Sequence, residues 1–505
     1  VSERFRGALA ANFGAVPADV MIPDVGTGKA GAFAYLLKEM RFRVAFDPCP
    51  SGLSFRTGPM PILGRTRVQA FGFEGPHHSQ APSDLDAELR KSNHAPHDRL
   101  LGGSISGVAA LAQVRLHWQD DPREPNRFII ELRPESRDRI LLARVDPDVA
   151  RAMMRFLTDD FGNPSSAHRF GRAPREALAE ARRRVAAALG AQPEQIRFAG
   201  SGTAADVFVL SRRFAGRPGG RLVTTAIEHP AVLTTARELA RGGVEVDVLP
   251  VDGDGRLRID ALRRSLERGA DLAAIMLANN ETGAIQPVAE AAALCRQAGV
   301  PLFSDAVNAA GKIPVDVREL GVDALALSAH KFHGPKGTGV LFLRDPALVR
   351  PIHQAGGQEG GLFPGTENVA GAVGLAEALD RATVGLAENA ARMGALASSL
   401  LEAIRAVRPD AVLNVASPAY RLPNTLSVVL PGRRATELLA RLDEAGVAVS
   451  AGSACHSGCD SPSPVLLAMG RTPAEAGSTL RISLARTTTP AEIEEAARIF
   501  SRILI

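Results

Sequence analysis

Residues 301–343 read PLFSDAVNAAGKIPVDVRELGVDALALSAHKFHGPKGTGVLFL. Three short apolar runs, Pro301–Phe303, Ala324–Ser328 and Gly339–Leu343, are divided by polar and glycine-bearing connections. Apolar runs this short, bounded by turn formers, read as strands buried on both faces. Upstream, Arg221–Ala226, Val244–Leu249 and Leu272–Leu277 repeat the pattern, and helical stretches such as Val288–Ala298 lie between the runs. Ahead of them, RAPREALAEARRRVAAALG (172–190) sets Leu178, Ala181, Val185 and Leu189 on one face, with Pro174 near the helix start and Gly190 as its stop. This alternation predicts an α/β fold: a mostly parallel sheet with helices on both faces. From about Thr383 the chain turns helical again, then gives the β-like NTLSVVL (424–430) and a last helix after Pro490, which predicts a smaller C-terminal α/β domain. The first 137 residues have another texture. Gly and Pro are frequent over 44–82, and one helix is expected near Ala30–Met40. The expected domains are therefore 1–137, of unassigned role, 138–385 and 386–505.

Composition narrows the function. The 505 residues carry 59 Lys and Arg against 55 Asp and Glu, a net charge of +4, with both signs interspersed. No basic stripe stands out, and 20 Phe, 2 Tyr and 1 Trp offer no stacking platform, so no nucleic-acid partner is expected. No apolar run approaches the roughly 20 residues that cross a bilayer. The opening VSERFRGALAANFGAVPADV lacks the apolar core of a leader, so a cytoplasmic protein without a membrane partner is expected. Four cysteines, Cys49, Cys295, Cys455 and Cys459, are too few for a disulfide scaffold at this length.

In open α/β sheets ligands bind beyond the carboxyl ends of the strands. The polar residues there are Asp305 after PLFS, Lys331 after LALSAH, Asn280 in MLANNETG and His229 after VTTAIE. Gly-rich FAGSGTAAD (198–206) opens an apparent helix, a suitable cradle for a phosphate. An acid, a lysine, a flat imidazole and a phosphate cradle together suit pyridoxal phosphate.

The stretches FGNPSSAHRFG, EHPAVL, MLANNETGAIQP, SDAVNAAGKIPVDV, SAHKFHGPKGTGVLF, GGQEGGLFPGTENVAG and SAGSACHSG, in this order over residues 138–505, resemble the motif series of the cysteine desulfurase and selenocysteine lyase family. These are class V, fold-type I pyridoxal-phosphate enzymes. The resemblance implies that Lys331 is the Schiff-base lysine, that Asp305 pairs with the pyridine nitrogen, and that His229 stacks on the ring. It implies that Asn280 and Asn308 lie near the cofactor, that Gly202, Thr203, Ser328 and His330 hold its phosphate, and that Thr366 reaches the phosphate of a partner subunit. Arg481 in LRISLAR would clamp the substrate carboxylate, a bidentate task suited to guanidinium. Cys455 would be the thiolate that takes sulfur, or selenium, from L-cysteine or L-selenocysteine, leaving L-alanine. The implied enzyme is a homodimer that passes sulfur or selenium to an acceptor protein and needs no metal.

The chain departs from the family in places. The Asp-Asn-Asn-Ala-Thr portion expected before VDPDV is missing from ILLARVDPDV (140–149), a loss that raises a degenerate, non-catalytic member as the rival reading. Another class V activity, an aminotransferase or a different lyase, is the second rival, against which the cysteine segment speaks. Asn308 stands where Gln is usual, and Ala204 where Glu is usual. PDVGTGKAG (23–31) misses two positions of a P-loop, and His77, His78, His94 and His97 read as surface residues. Cys459, four residues beyond Cys455, carries no implied role.

Overall fold

The computed structural model describes residues 144–351, 356–451 and 462–505, together with the backbone of five strands in the first 137 residues. The helix expected near Ala30–Met40, the sequence 23–31, the four histidines at 77–97, and both Cys455 and Cys459 lie outside the described residues. The chain divides into two compact units, Val1–Arg137 and Asp138–Ile505.

In the first unit, β1 (Val44–Cys49), β2 (Gly52–Arg56), β3 (Thr66–Arg67), β4 (Ala112–Asp121) and β5 (Glu124–Pro134) form one antiparallel sheet. These strands were not anticipated from the Gly- and Pro-rich texture. The signal was there: β4 alternates apolar and polar residues from Ala112 to Gln119, and its register with β5 pairs Val114 with Leu132, Leu116 with Ile130 and Trp118 with Phe128.

The second unit holds a seven-stranded sheet of β6 (Ile196–Ala199), β7 (Arg221–Thr225), β8 (Glu245–Leu249), β9 (Leu272–Ala274), β10 (Leu302–Asp305), β11 (Ala324–Ser328) and β12 (Gly339–Leu343). Its order is β6-β12-β11-β10-β9-β7-β8, parallel from β11 to β8, with β12 antiparallel to both of its neighbours. Side chains alternate between two cores, which is why the strands read as unbroken apolar runs. Leu302, Leu325 and Leu327 pack with Leu178 and Val185 on one face, whereas Phe303 and Ala326 pack into the core on the opposite face.

The helices of this unit begin with α1 (Pro147–Thr158) and α2 (Arg169–Leu189). Helix α2 opens five residues ahead of Pro174, which lies inside it, and ends as expected on Gly190 at φ 67°. Next come α3 (Gly202–Arg213) and α4 (Pro230–Arg241), whose Phe208, Val209, Val232 and Ala236 cover one face of the sheet. After α5 (Ile259–Leu266) and α6 (Val288–Gln297), α7 (Val369–Thr383) packs against α1 and α2 on the other face. The chain then runs through α8 (Leu386–Val407) into a four-stranded antiparallel sheet, β13 (Val412–Leu413), β14 (Thr425–Val429), β15 (Ser450–Ala451) and β16 (Thr479–Ser483), in the order β13-β14-β16-β15. Helices α9 (Ala435–Glu444) and α10 (Pro490–Leu504) share its core, where Leu400, Leu426, Leu438, Leu480 and Phe500 are buried.

The entry to α1 follows the missing motif portion and is tied down. The Asp146 amide donates to His333 O at 3.0 Å, His333 Nδ1 lies 3.0 Å from Arg144 O, and the Asp146 carboxylate pairs with Arg486.

Candidate functional site

Five chain segments leave the large sheet on one side, at the carboxyl ends of its parallel strands, and each delivers a side chain. Strand β10 ends on Asp305, which is 6% exposed and accepts from the Val307 amide at 2.8 Å. Burial raises its pKa, and His229, the Val307 amide and Lys331 oppose that rise. Strand β11 ends on Ser328 and passes into the single turn Ala329–Phe332, which carries Lys331. The turn closes on His333 in the left-handed conformation, at φ 68°, a position few side chains accept. Ser328 Oγ lies 2.9 Å from His330 Nδ1. The His330 pKa is pushed down to about 4 by burial and by the charges of Lys331, Lys312 and Lys336, so its ring is neutral at pH 7.

His229 caps α4. Its Nδ1 accepts from the Ala231 amide at 3.1 Å, so in the neutral ring the hydrogen sits on Nε2. Burial lowers its pKa, Asp305 raises it and Lys331 lowers it. Helix α3 starts where Gly202 presses on β10 and β11. A Cβ there would meet Val307 Cγ2 at 2.4 Å and Ser328 Cβ at 3.3 Å, so only glycine fits. Ser201 Oγ caps this helix by accepting from the Ala204 amide at 3.0 Å. The start of α3, Ser328 and His330 make a polar cradle of the kind that receives a phosphate.

Beyond β9, Asn279 is fully buried and knits the turn 276–283 together. Its Nδ2 donates to Ile227 O, and its Oδ1 accepts from the amides of Glu281 and Thr282. That turn presents Asn280, whose carbonyl accepts from Arg481 Nη1 at 2.7 Å. Arg481 belongs to β16, an inner strand of the small sheet, and is 3% exposed. Asn308 Nδ2 donates to Asn279 O at 3.2 Å. Lys331, Asn280, Asn308 and Arg481 line one cleft between the two sheets, with Lys312 and Arg486. Asp305, His229, Gly202, Ser328 and His330 lie outside this lining, as do Thr203 and Thr366, which are exposed.

Three residues that no motif singles out belong here. Lys312 is 8% exposed, its Nζ donates to Lys331 O at 3.0 Å, and burial together with the Lys331 charge brings its pKa down to about 7. Asp206 and Glu228 are 1% and 2% exposed acids beside Asp305. Each could have been noticed as a lone charge inside an apolar stretch, TAADVFVL, TTAIEHP and AAGKIP. One atom each of Asp206, His229 and Asp305 lie within 4.8 Å of one another, close enough to share a metal ion. To join it through Nδ1, His229 would have to give up its cap bond, and in its present tautomer Nε2 has no lone pair to offer. Cys295 is buried, with its thiol pushed up to about 12 by burial, which makes it a poor nucleophile.

A sequence profile of the aminotransferase class-V family matches residues 143–495, well over half of the chain. The chain belongs to this family. A protein of Cereibacter sphaeroides named cysteine desulfurase is 42% identical over 364 residues, 72% of this chain and 93% of that relative. The family member named cysteine desulfurase NifS, from Azotobacter vinelandii, is 40% identical across 70% of this chain and 89% of its own length. Among solved structures of the fold, a NifS-like protein superposes with a TM-score of 0.67 at 35% identity, covering 72% of this chain and 99% of its own. Another, described as SspA in complex with cysteine, gives 0.62 at 28% identity over 70% of this chain and the whole of that one. The family match starts at 143, so the antiparallel sheet of the first unit lies outside it. No described helix is long and apolar enough to cross a membrane.

Proposed function

We propose that the chain is a pyridoxal-phosphate-dependent cysteine desulfurase, which converts L-cysteine to L-alanine and leaves the sulfur as a persulfide on Cys455. The observation that carries the reading is the cleft in which Lys331, Asn280 and Arg481 meet, in a chain whose relatives bear that name. Lys331 would hold the cofactor's aldehyde carbon, Asp305 its ring nitrogen, and His229 the face of the ring, with Asn280 and Asn308 near its edge. Gly202, Thr203, Ser328 and His330 would take the phosphate. Glycine at 202 lets the start of α3 sit directly against Val307 and Ser328, which keeps the helix N-terminus beside the Ser328 hydroxyl. Thr366, exposed in its own chain, would serve the phosphate of the second subunit of a homodimer.

Bound there, pyridoxal phosphate supplies an electron sink for bond breaking at the substrate's α and β carbons. Arg481, fixed by the Asn280 carbonyl, orients the substrate through its carboxylate. The Lys331 amine carries protons to and from those carbons. The Cys455 thiolate attacks the substrate sulfur: the C–S bond breaks, an S–S bond forms, and the β carbon takes up a proton. L-Cysteine plus a thiol thus becomes L-alanine plus a persulfide, with no outside oxidant. The persulfide sulfur then passes to an acceptor protein. We place the division between a cofactor-binding domain (138–385) and a domain carrying the cysteine segment (386–505) at the start of α8. A cytoplasmic location accords with the composition.

The test incubates the full chain with pyridoxal phosphate and L-cysteine and follows alanine and sulfide, with L-selenocysteine in a parallel arm. Alanine from cysteine that disappears in Cys455→Ala supports the reading. Alanine formation by Cys455→Ala at the wild-type rate overturns the persulfide step, and no alanine from either substrate establishes the degenerate rival. Alanine from selenocysteine alone makes the protein a selenocysteine lyase.

A further inference from the structure

Four ionisable side chains crowd the end of β10: Asp305 itself, Asp206 from α3, and Glu228 and His229 from the segment before α4. Lys331, from the turn after β11, faces the same cluster. Their bonding differs sharply. Asp305 accepts from the Val307 amide and faces His229, and Glu228 Oε1 accepts from Thr225 Oγ1 at 2.7 Å and the Met276 amide at 2.9 Å. Asp206 Oδ1 is buried with no hydrogen-bond partner among the described residues, as is Glu228 Oε2, although the other oxygen of Glu228 is held by Thr225 and the Met276 amide. Three carboxylates cannot all stay charged in one desolvated site. Asp305 has the cationic and N–H partners that favour an anion, so the proton belongs on Asp206.

We propose that Asp206 is a positioning residue for the cofactor site: its carboxyl keeps a proton, leaves Asp305 as the anion facing the cofactor's ring nitrogen, and acts on the cofactor only through Asp305. Burial, with Asp305 and Glu228 nearby, raises the Asp206 pKa well above the ordinary value, and burial raises that of Glu228 to about 8. The inference rests on the cofactor reading above, but its first measurement does not. In cofactor-free protein at pH 7, infrared difference spectra against Asp206→Asn should show a protonated-carboxyl carbonyl band that the variant lacks, distinct from the band that Glu228→Gln loses, since Glu228 also holds a proton at that pH. In the second measurement, pyridoxal phosphate is added and its dissociation constant and visible band are followed. Asp206→Asn, a neutral mimic of the protonated acid, should bind within about threefold of wild type with an unchanged band. Asp206→Ala should bind at least tenfold more weakly and shift the pH at which the band changes. If no carboxyl band is lost in Asp206→Asn, or if Asp206→Ala binds and absorbs as wild type, the proposal fails. If the infrared band is lost but no variant, wild type included, gains colour, the cofactor reading is at fault instead.

Discussion

Two buried residues give the protein a distinctive response to pH. The Glu228 pKa is about 8 in the fold against an ordinary 4.5, so the folded state holds a proton that the unfolded chain releases. Its stabilisation is complete below pH 4.5 and is lost as pH rises through 8, at up to about 1.4 kcal/mol per pH unit. Lys312 has the opposite sign, with a folded pKa of about 7 against 10.5. It costs stability where the folded state must take up a proton, and that cost disappears as pH rises from 7 toward 10.5. Denaturant unfolding of cofactor-free protein should therefore show a stability minimum near pH 7–8. Glu228→Gln should reduce the slope on the acid side, to which the protonated Asp206 also contributes, and Lys312→Met should flatten the alkaline side; a flat wild-type profile would contradict both assignments. Sequence could name Lys331 and Asp305 because each follows an apolar run. It could not rank Lys312, since nothing in AAGKIP says that its ammonium is bent back onto the Lys331 carbonyl.

Among the elements, α3 is constrained at its start, because its first residue has no room for a side chain. Gly202→Ala must push the helix start away from Val307 or push Val307 away from Asp305, whose carboxylate holds the Val307 amide. The expected cost is about 1–3 kcal/mol in denaturant unfolding, together with at least tenfold weaker pyridoxal-phosphate binding in a spectral titration. Ser201→Ala removes only the cap and should cost about 1 kcal/mol with a smaller effect on binding. Wild-type binding by Gly202→Ala would show that the helix start does not face the phosphate. The strands of the large sheet were legible because both faces are buried, and Ala324–Ser328 and Gly339–Leu343 fall where the apolar runs fall. Strand β6 escaped notice because IRFA is short and interrupted by Arg197, whose cost is met at the sheet edge. Pro174 misled for a local reason: six residues into α2 it removes one helical bond, and the flanking helix tolerates the loss.

At the scale of the whole molecule, the surface of α1 and α2 stands out. Met154, Leu157, Phe161 and Phe170 are each more than half exposed, and the carbonyl of Phe170 lies against Gly162. Large apolar side chains gathered on one stretch of chain mark an interaction face, and we assign it to the second copy in the proposed homodimer. Light scattering should give twice the chain mass, falling toward the single-chain mass in Leu157→Asp/Phe161→Asp. A wild-type monomer would rule out the role given to Thr366. The antiparallel sheet of residues 44–134 was hidden from the sequence reading for another reason. Its strand β4 alternates apolar and polar residues, but the glycines and prolines of 44–82 dominate the composition of the region.

One nitrogen of His229 serves two masters. Because Nδ1 holds the amide of Ala231, a proton arriving at that atom breaks the first bond of α4. The imidazole is thus wired to a solvent-exchange probe: the Ala231 amide should trade hydrogen for deuterium faster whenever the ring is protonated and slower when it is neutral. An aromatic replacement at 229 would keep a flat face yet cut the wire. An asparagine would do the reverse, so the two duties of this side chain can be separated by chemistry alone.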